Sequence, residues 1–235
     1  MDKFKERTRI VIGDEGIKKL KDSRVLVFGL GGVGSFVVES LARAGIGNLT
    51  IVDFDKVDET NINRQLPALH STIGRYKADV MKERILDINP NINLVSHIEL
   101  YNEDTSEKLL SGDYDYVVDA IDMMKSKIHL IEQCYKKGLN IISSMGMGNK
   151  LDPTMIEITD IYKTEMCPLA KVLRRELKKS GVRKLKVVYS KEKPSETGVS
   201  YEDGRMKRVN GSVSFVPSAA GLTITSYIVR NILSK

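Results

Sequence analysis

The stretch "VLVFGLGGVGSF", residues 25 to 36, runs from a continuous apolar segment into one with helical spacing, through a turn built of glycines. Gly29, Gly31 and Gly34 satisfy a G-x-G-x-x-G spacing, with Gly32 between them. Glycines at such a turn permit positive φ and let backbone N–H groups approach a phosphate at a helix N-terminus, where the helix dipole favours an anion. Asp53 follows nineteen residues after Gly34, at the end of the next apolar run, where a carboxylate bonds ribose hydroxyls. Strand, glycines and acid in this order predict a nucleotide site. The turn by itself fits NAD and ATP alike, because both carry a ribose and a nearby phosphate.

Outward from the turn the chain alternates strand and helix patterns. "RVLVFG" (24 to 29) reads as a buried parallel strand and "VGSFVVESLARAGI" as a helix closed by Gly45 and Gly47. "NLTIVDFD" (48 to 55), "INLVSHIEL", "YDYVVDAID" (114 to 122) and "LNIISSMGMG" read as four further strands. Between them "GRYKADVMKERILDINP" (74 to 90), "NEDTSEKLLSG" and "KSKIHLIEQCYKKG" read as helices. The rhythm predicts an α/β fold: a Rossmann-like, doubly wound sheet, parallel in its N-terminal part, with ligands outside the carboxyl ends of the strands. The last third adds strand-like "TMIEITDI" and "KLKVVYS" around a basic helix at about 165 to 180. "KEKPSETGVSYEDGRMKRVNG" (191 to 211) reads as an exposed loop, and "SVSFVP" leads into a last helix from about Pro217.

At 235 residues, 41% hydrophobic and 29% charged, the chain suits one elaborated α/β domain. Residues 1–235 are expected to form a single unit, with a nucleotide-binding core at 1–150 and a basic substrate-binding extension at 151–235. No apolar run approaches the roughly 20 residues of a membrane span, and "MDKFKERTR" carries no apolar signal region, so a cytoplasmic location is expected. Cys134 and Cys167 make neither a disulfide framework nor a C-x-x-C zinc motif. The net charge of +6 is concentrated: residues 163 to 193 hold eleven Lys or Arg against three Glu. Lys171, Arg174, Arg175, Lys178, Lys179, Arg183 and Lys184 make this a candidate surface for tRNA, which offers a continuous run of phosphates.

"DFDKVDETNINRQL" places Asp55, Asn61, Arg64 and Gln65 beyond the second strand, and "GRYKADV" brings Lys77 to the start of the next helix. Cations converging on a turn that already holds one phosphate favour a triphosphate over a dinucleotide. The fourth strand ends in Asp119 and Asp122, both expected on the ligand side, and a carboxylate there suits Mg²⁺, which takes one or two acids plus phosphate oxygens.

"GLGGVGS", "DFD", "NINRQ", the Lys of "GRYKA" and "DAID" together resemble the ubiquitin-activating-type (ThiF-type) adenylating enzymes. The resemblance implies ATP and Mg²⁺, with Asp53 on the ribose, Asn61 and Arg64 on the phosphates, Lys77 on the α-phosphate side and Asp122 on the metal. Arg9 in "RTRIVIG" matches an arginine that family dimers insert into the partner's ATP site, which implies a homodimer. Met123 departs from the Asn that sulfur-carrier activators have after this Asp. "GIGNLTIVDFDKVDETNINRQLPAL", "DAIDMMKSK", "GMGNKLDPTMIEITDIYKTEMCPLAKVLRRELKK" and "VVYSKEKP" are similar to the tRNA threonylcarbamoyladenosine dehydratase branch of that family. That branch implies adenylation of a threonylcarbamoyl carboxylate on tRNA, ring closure with loss of water, and a cysteine desulfurase or sulfur-acceptor system as a partner.

Cys134, in "IEQCYKKG", is expected to face the sheet. Cys167, at the start of the basic helix, is the one thioester candidate, but the branch tends to carry another residue there and a packing role is preferred. His70, His97 and His129 are scattered and read as structural or surface residues. Three other functions fit these residues less well. An adenylyltransferase for a ubiquitin-like sulfur carrier usually has two C-x-x-C pairs, which are missing here. An NAD-linked oxidoreductase has no use for the Arg64, Lys77 and Asp122 constellation, and a non-catalytic nucleotide module does not need it intact.

Overall fold

The apolar runs become strands β1 (Arg24–Phe28), β2 (Asn48–Val52), β3 (Asn93–His97), β4 (Tyr116–Asp119), β5 (Ile141–Ser144), β6 (Ile156–Asp160) and β7 (Lys186–Ser190). They form one sheet in the order β3-β2-β1-β4-β5-β7-β6. Every neighbouring pair from β3 to β7 is parallel, and β6 runs antiparallel to β7 at the edge. The structure is a computed structural model that describes residues 3–196, 198–202 and 205–234. The helices are α1 (Glu6–Asp22), α2 (Gly34–Ala44), α3 (Lys77–Ile88), α4 (Glu103–Leu109), α5 (Met124–Lys137), α6 (Pro168–Lys179) and α7 (Phe215–Leu233).

Strand β1 is at the centre, and its unbroken apolar run is explained by burial on both faces. Val25 and Val27 pack with Val38 and Leu41 of α2 and with Ile224 and Ile228 of α7. Leu26 and Phe28 point the other way, to Leu109 of α4 and to Leu130 and Cys134 of α5. Helix α7 lies tightly on α2, where a Cβ at Gly221 would stand 2.6 Å from the Val33 carbonyl oxygen. Helices α2 and α5 both stop at a left-handed glycine, Gly45 and Gly138. A third cluster, with Ala170, Leu173 and Leu177 of α6 against Val187 and Tyr189 of β7, joins the C-terminal third to the same sheet.

Three details differ from the sequence reading. Helix α1, bent at Gly13 (φ 73°), occupies an N-terminal segment for which the sequence offered no element. The last helix starts at Phe215, two residues before Pro217; proline is tolerated there because the first helical N–H groups need no intrahelical partner. Within 191 to 211 the expected loop contains a hairpin, β8 (Gly198–Glu202) and β9 (Arg205–Val209), paired antiparallel. Residues 197, 203 and 204 of that segment lie outside the described residues.

Candidate active site

The strand order reverses between β1 and β4, and the crevice at their carboxyl ends is where doubly wound sheets bind ligands. A cavity of about 440 Å³ opens there. One wall is the glycine turn. Gly29 has φ +87°, and a Cβ on it would meet the Ala120 carbonyl oxygen at 2.6 Å. A Cβ on Gly34 would stand 1.8 Å from the Gly29 carbonyl oxygen, so α2 can start this close to β1 only with glycine at that position. Gly31 and Gly32 face the cavity itself.

Asp53 ties this wall to the next. Its Oδ2 accepts from the Leu30 N–H at 2.6 Å and its Oδ1 from the Asp55 N–H at 2.8 Å. Burial pushes the Asp53 carboxyl above its ordinary range, while the Leu30 N–H and the charge of Lys77 act against that rise. Lys77, at the first turn of α3, is buried and donates to Asp55 Oδ2 at 2.8 Å. Arg64 and Gln65 come from the turns after β2. Arg64 donates to the Thr60 carbonyl at 3.0 Å and to Asn63 Oδ1 at 2.8 Å. Gln65 is 8% exposed and lines the cavity, and its Oε1 is buried without a partner. An orphaned acceptor on a cavity wall fits a ligand that brings a donor or a bridging water.

The strand-end acids separate into two roles. Asp119 is fully buried and paired with the fully buried Lys127 at 2.8 Å. It also accepts from Ser143 Oγ at 2.6 Å and from the Ile121 N–H at 3.1 Å, while Lys127 donates to the Ile121 carbonyl at 2.9 Å. The expectation that Asp119 faces the ligand is therefore corrected: it is a core anchor. Asp122 is exposed and lines the cavity. Among the described residues no group of three His, Cys, Asp or Glu could hold a metal alone. One carboxylate facing a phosphate site suits Mg²⁺, which keeps waters and phosphate oxygens for its other positions.

Gly29, Gly31, Gly32, Asp53, Asp55, Arg64, Gln65, Lys77 and Asp122 thus share one cavity. Gly34 shapes the turn from behind it. Asn61 is not among the lining residues: its Oδ1 caps the Asp58 N–H in a short 3₁₀ turn. Arg9 also lies off the cavity, 3.4 Å from Asp14. Met123, singled out in the sequence as a departure beside Asp122, lines the opposite wall, but sequence reasoning missed the rest of that wall, formed by Glu99, Leu100 and Tyr101 after β3 and by Ser126 at the start of α5. It also missed the floor at Gly146 to Gly148 and Asn210 to Ser212. No motif marks these positions, although their place after strand ends was readable.

On α6 and beyond, Lys171, Arg175, Lys178, Lys179, Arg183 and Lys184 are exposed. Arg174 is half-buried and donates to the Thr164 carbonyl at 2.9 Å and to its hydroxyl, which gives it a packing role. Cys134 and Cys167 are both buried. Burial pushes the Cys134 thiol up to about 12. His129 Nδ1 meets the Tyr101 hydroxyl at 3.2 Å, and His70 is exposed.

The sequence model of the ThiF family matches residues 5–232. The chain belongs to the ThiF family. Within it, the tRNA threonylcarbamoyladenosine dehydratase of Bacillus subtilis is 44% identical over 237 residues, covering 97% of this chain and 93% of that protein. The crystal structure of Escherichia coli tRNA N6-threonylcarbamoyladenosine dehydratase, TcdA, in complex with ATP superposes with a TM-score of 0.89 at 32% identity. That match covers 100% of this chain and 96% of the other. At greater distance stands the yeast adenylyltransferase and sulfurtransferase UBA4, 31% identical over 155 residues. It matches 66% of this chain and 35% of the yeast protein.

Proposed function

We propose that this ThiF-family chain is an ATP-dependent tRNA threonylcarbamoyladenosine dehydratase. One observation carries the reading. The crevice at the topological switch gathers a glycine turn, Arg64, Lys77 and Asp122 in a chain that is 44% identical, over nearly all of both lengths, to a named dehydratase. A threonyl carboxylate oxygen attacks the α-phosphorus of ATP and pyrophosphate leaves. An atom of the same threonylcarbamoyl group then attacks the activated carbonyl carbon, and AMP departs with the carboxylate oxygen. The net change in the nucleoside is loss of one water.

The first step calls for charge neutralisation and alignment more than for a protein nucleophile. The glycine turn receives phosphate oxygens, and Arg64 and Lys77 offset the charge that develops at the α-phosphorus. Lys77 already has Asp55 as a partner, which keeps its ammonium aimed along the cavity edge. Asp53 accepts the ribose hydroxyls, two O–H donors that compensate a carboxylate destabilised by burial. Apolar Phe28, Val52 and Leu100 suit the flat base. Asp122 would hold Mg²⁺, which supplies charge to the phosphate oxygens when bound. The second step is intramolecular, so proximity replaces a catalytic thiol. Both cysteines are buried, and a sulfur-transfer partner would find no exposed thiol on this chain.

Two parts of the reading reach beyond the cavity. The exposed cations of α6 and its following turn contact tRNA backbone. Arg9 acts on the ATP site of a second copy, since within one chain it lies off the cavity. A tRNA substrate supports a cytoplasmic location. Among the described residues no helix is long and apolar enough to cross a membrane. The test is incubation with ATP, Mg²⁺ and tRNA bearing threonylcarbamoyladenosine, followed by nucleoside mass spectrometry. Loss of one water with release of AMP and pyrophosphate is expected. AMP release driven by a sulfur-carrier C-terminus, with tRNA unchanged, would establish the adenylyltransferase alternative instead.

A further inference from the structure

The segment between β7 and α7 leaves the sheet after Ser190, carries the β8–β9 hairpin and returns at Asn210. Both its legs are held by one residue. Asn149, in the turn after β5, has φ +59°, a left-handed conformation that few non-glycine residues adopt. Its carbonyl accepts from the Ser195 N–H at 2.8 Å and from the Ser195 hydroxyl at 3.1 Å, on the outgoing leg. Its N–H donates to the Gly211 carbonyl at 2.9 Å, on the returning leg. Its side-chain Oδ1 accepts from the Gly211 N–H at 2.6 Å, and its Nδ2 donates to Asn210 Oδ1 at 3.0 Å. Backbone and side chain are thus spent on the two roots of the hairpin.

The same roots belong to the nucleotide cavity. Asn210, Gly211 and Ser212 line it beside Gly148. The Ser212 carbonyl accepts from Asn63 Nδ2 at 2.9 Å, one residue before Arg64. A two-stranded hairpin alone is marginal in water, so its direction depends on what grips its base. By sequence the hairpin carries Arg205, Lys207 and Arg208, against the acids Glu202 and Asp203, and it follows the cation-rich 163 to 193 segment. A net basic arm rooted in an ATP cavity fits a polyanionic partner.

We propose that Asn149 is a positioning residue, pinning the β8–β9 hairpin as an RNA-holding arm against the nucleotide cavity so that the target adenosine is presented to the α-phosphate. The proposal rests on the dehydratase reading and deepens it. A glycine would satisfy the backbone conformation at this position. The amide side chain adds the two bonds to Asn210 and Gly211, and those bonds are what the proposal assigns to function.

The experiment compares wild type with Asn149→Gly, which keeps the left-handed backbone and deletes the side-chain bonds, and with Asn149→Asp. The aspartate can accept from the Gly211 N–H and, after an amide flip, from Asn210. For Asn149→Gly, kcat/KM for tRNA should fall about tenfold, the effect of one to two lost hydrogen bonds, while the Kd for ATP stays within about twofold. Asn149→Asp should recover most of the loss. Wild-type kinetics for tRNA in Asn149→Gly would overturn the proposal. So would an ATP Kd that weakens by the same factor as turnover, because Asn149 would then merely build the cavity wall. Failure of the wild-type chain to dehydrate the tRNA would sink the dehydratase reading alone. The arm is then decided by direct tRNA binding with a non-hydrolysable ATP analogue: about tenfold weaker binding by Asn149→Gly supports it, and equal binding overturns it.

Discussion

Replacing Lys127 by Met should be among the costliest single changes available in this fold. Lys127 and Asp119 are both fully buried, 2.8 Å apart, at the carboxyl end of β4. Removing the ammonium leaves the Asp119 carboxylate with the Ser143 hydroxyl and the Ile121 N–H but no countercharge. Breaking a buried pair from one side costs about 3–5 kcal/mol, because an uncompensated charge stays in the interior. The Ile121 carbonyl also loses its Lys127 donor. For a chain of this length 1 kcal/mol moves the melting temperature by about 2–4 °C, so a fall of about 6–20 °C is expected. Urea unfolding at neutral pH measures the loss directly, as a lower midpoint with an unchanged slope. The double variant Asp119→Asn with Lys127→Met removes both charges and lets the Ser143 hydroxyl turn to accept from the new amide, so much of the stability should return. A Lys127→Met protein within about 1 kcal/mol of wild type, or a double variant less stable than Lys127→Met alone, would refute the anchoring argument.

Asp122→Ala should abolish ATP-dependent ring closure and remove the protein's Mg²⁺-dependent gain in ATP affinity, with the melting temperature unchanged because Asp122 is exposed; near-normal turnover would take the metal away from this residue. Burial raises the Glu39 carboxyl, but hydrogen bonds and charge from Arg84 and Arg43 outweigh it and hold the group below its ordinary 4.5. Its contribution is therefore present above that pH and lost as pH falls through the depressed value, so Glu39→Gln should be less stable at pH 7 by about 1–2 kcal/mol, with the gap closing in acid; a gap independent of pH contradicts the assignment. Charge reversal at Lys171, Arg175 and Lys178 should weaken tRNA binding and lower the salt slope by roughly one unit per lost phosphate contact, whereas unchanged affinity marks a solvated face. Mixing Arg9→Ala chains with Lys77→Ala chains should restore part of the activity if Arg9 serves a partner's site, and no complementation would refute that arrangement.

The fold was legible because its signals are local. The apolar run of β1, the glycine turn and the capping glycines Gly45 and Gly138 each state their role within a few residues. The cavity wall that carries Arg64, Gln65 and Lys77 was legible for the same reason: all three follow the end of β2 within one stretch of chain. What escaped is contributed by segments that meet in space. Glu99 to Tyr101 and Ser126 line the cavity through the packing of α5 on the loop after β3, where Ser126 Oγ donates to the Tyr101 carbonyl at 2.7 Å. The hairpin escaped because the alternation in β8 lasts only four residues, Lys207 and Arg208 interrupt it in β9, and both strands sit in a run rich in charge, Gly, Pro and Ser that reads as loop.

The motif "DAID" shows where such reading ends. Asp119 and Asp122 have the same chemistry, three residues apart, one closing β4 and the other just beyond it at the cavity end of the sheet. What separates them is Lys127, in the first turn of α5, whose buried ammonium selects Asp119 and ties the Ile121 carbonyl at the same time. That double anchor fixes the backbone on which Asp122 is carried and leaves Asp122 free to face the cavity. The lysine itself looks in sequence like any solvated helix cation. Its partner is in hydrogen-bond reach only once α5 packs back on β4. The acid available for a metal is thus determined by a residue that never touches the nucleotide, and the Lys127→Met variant, read by ATP affinity with and without Mg²⁺ as well as by urea, should lose the metal-dependent part even where it still folds.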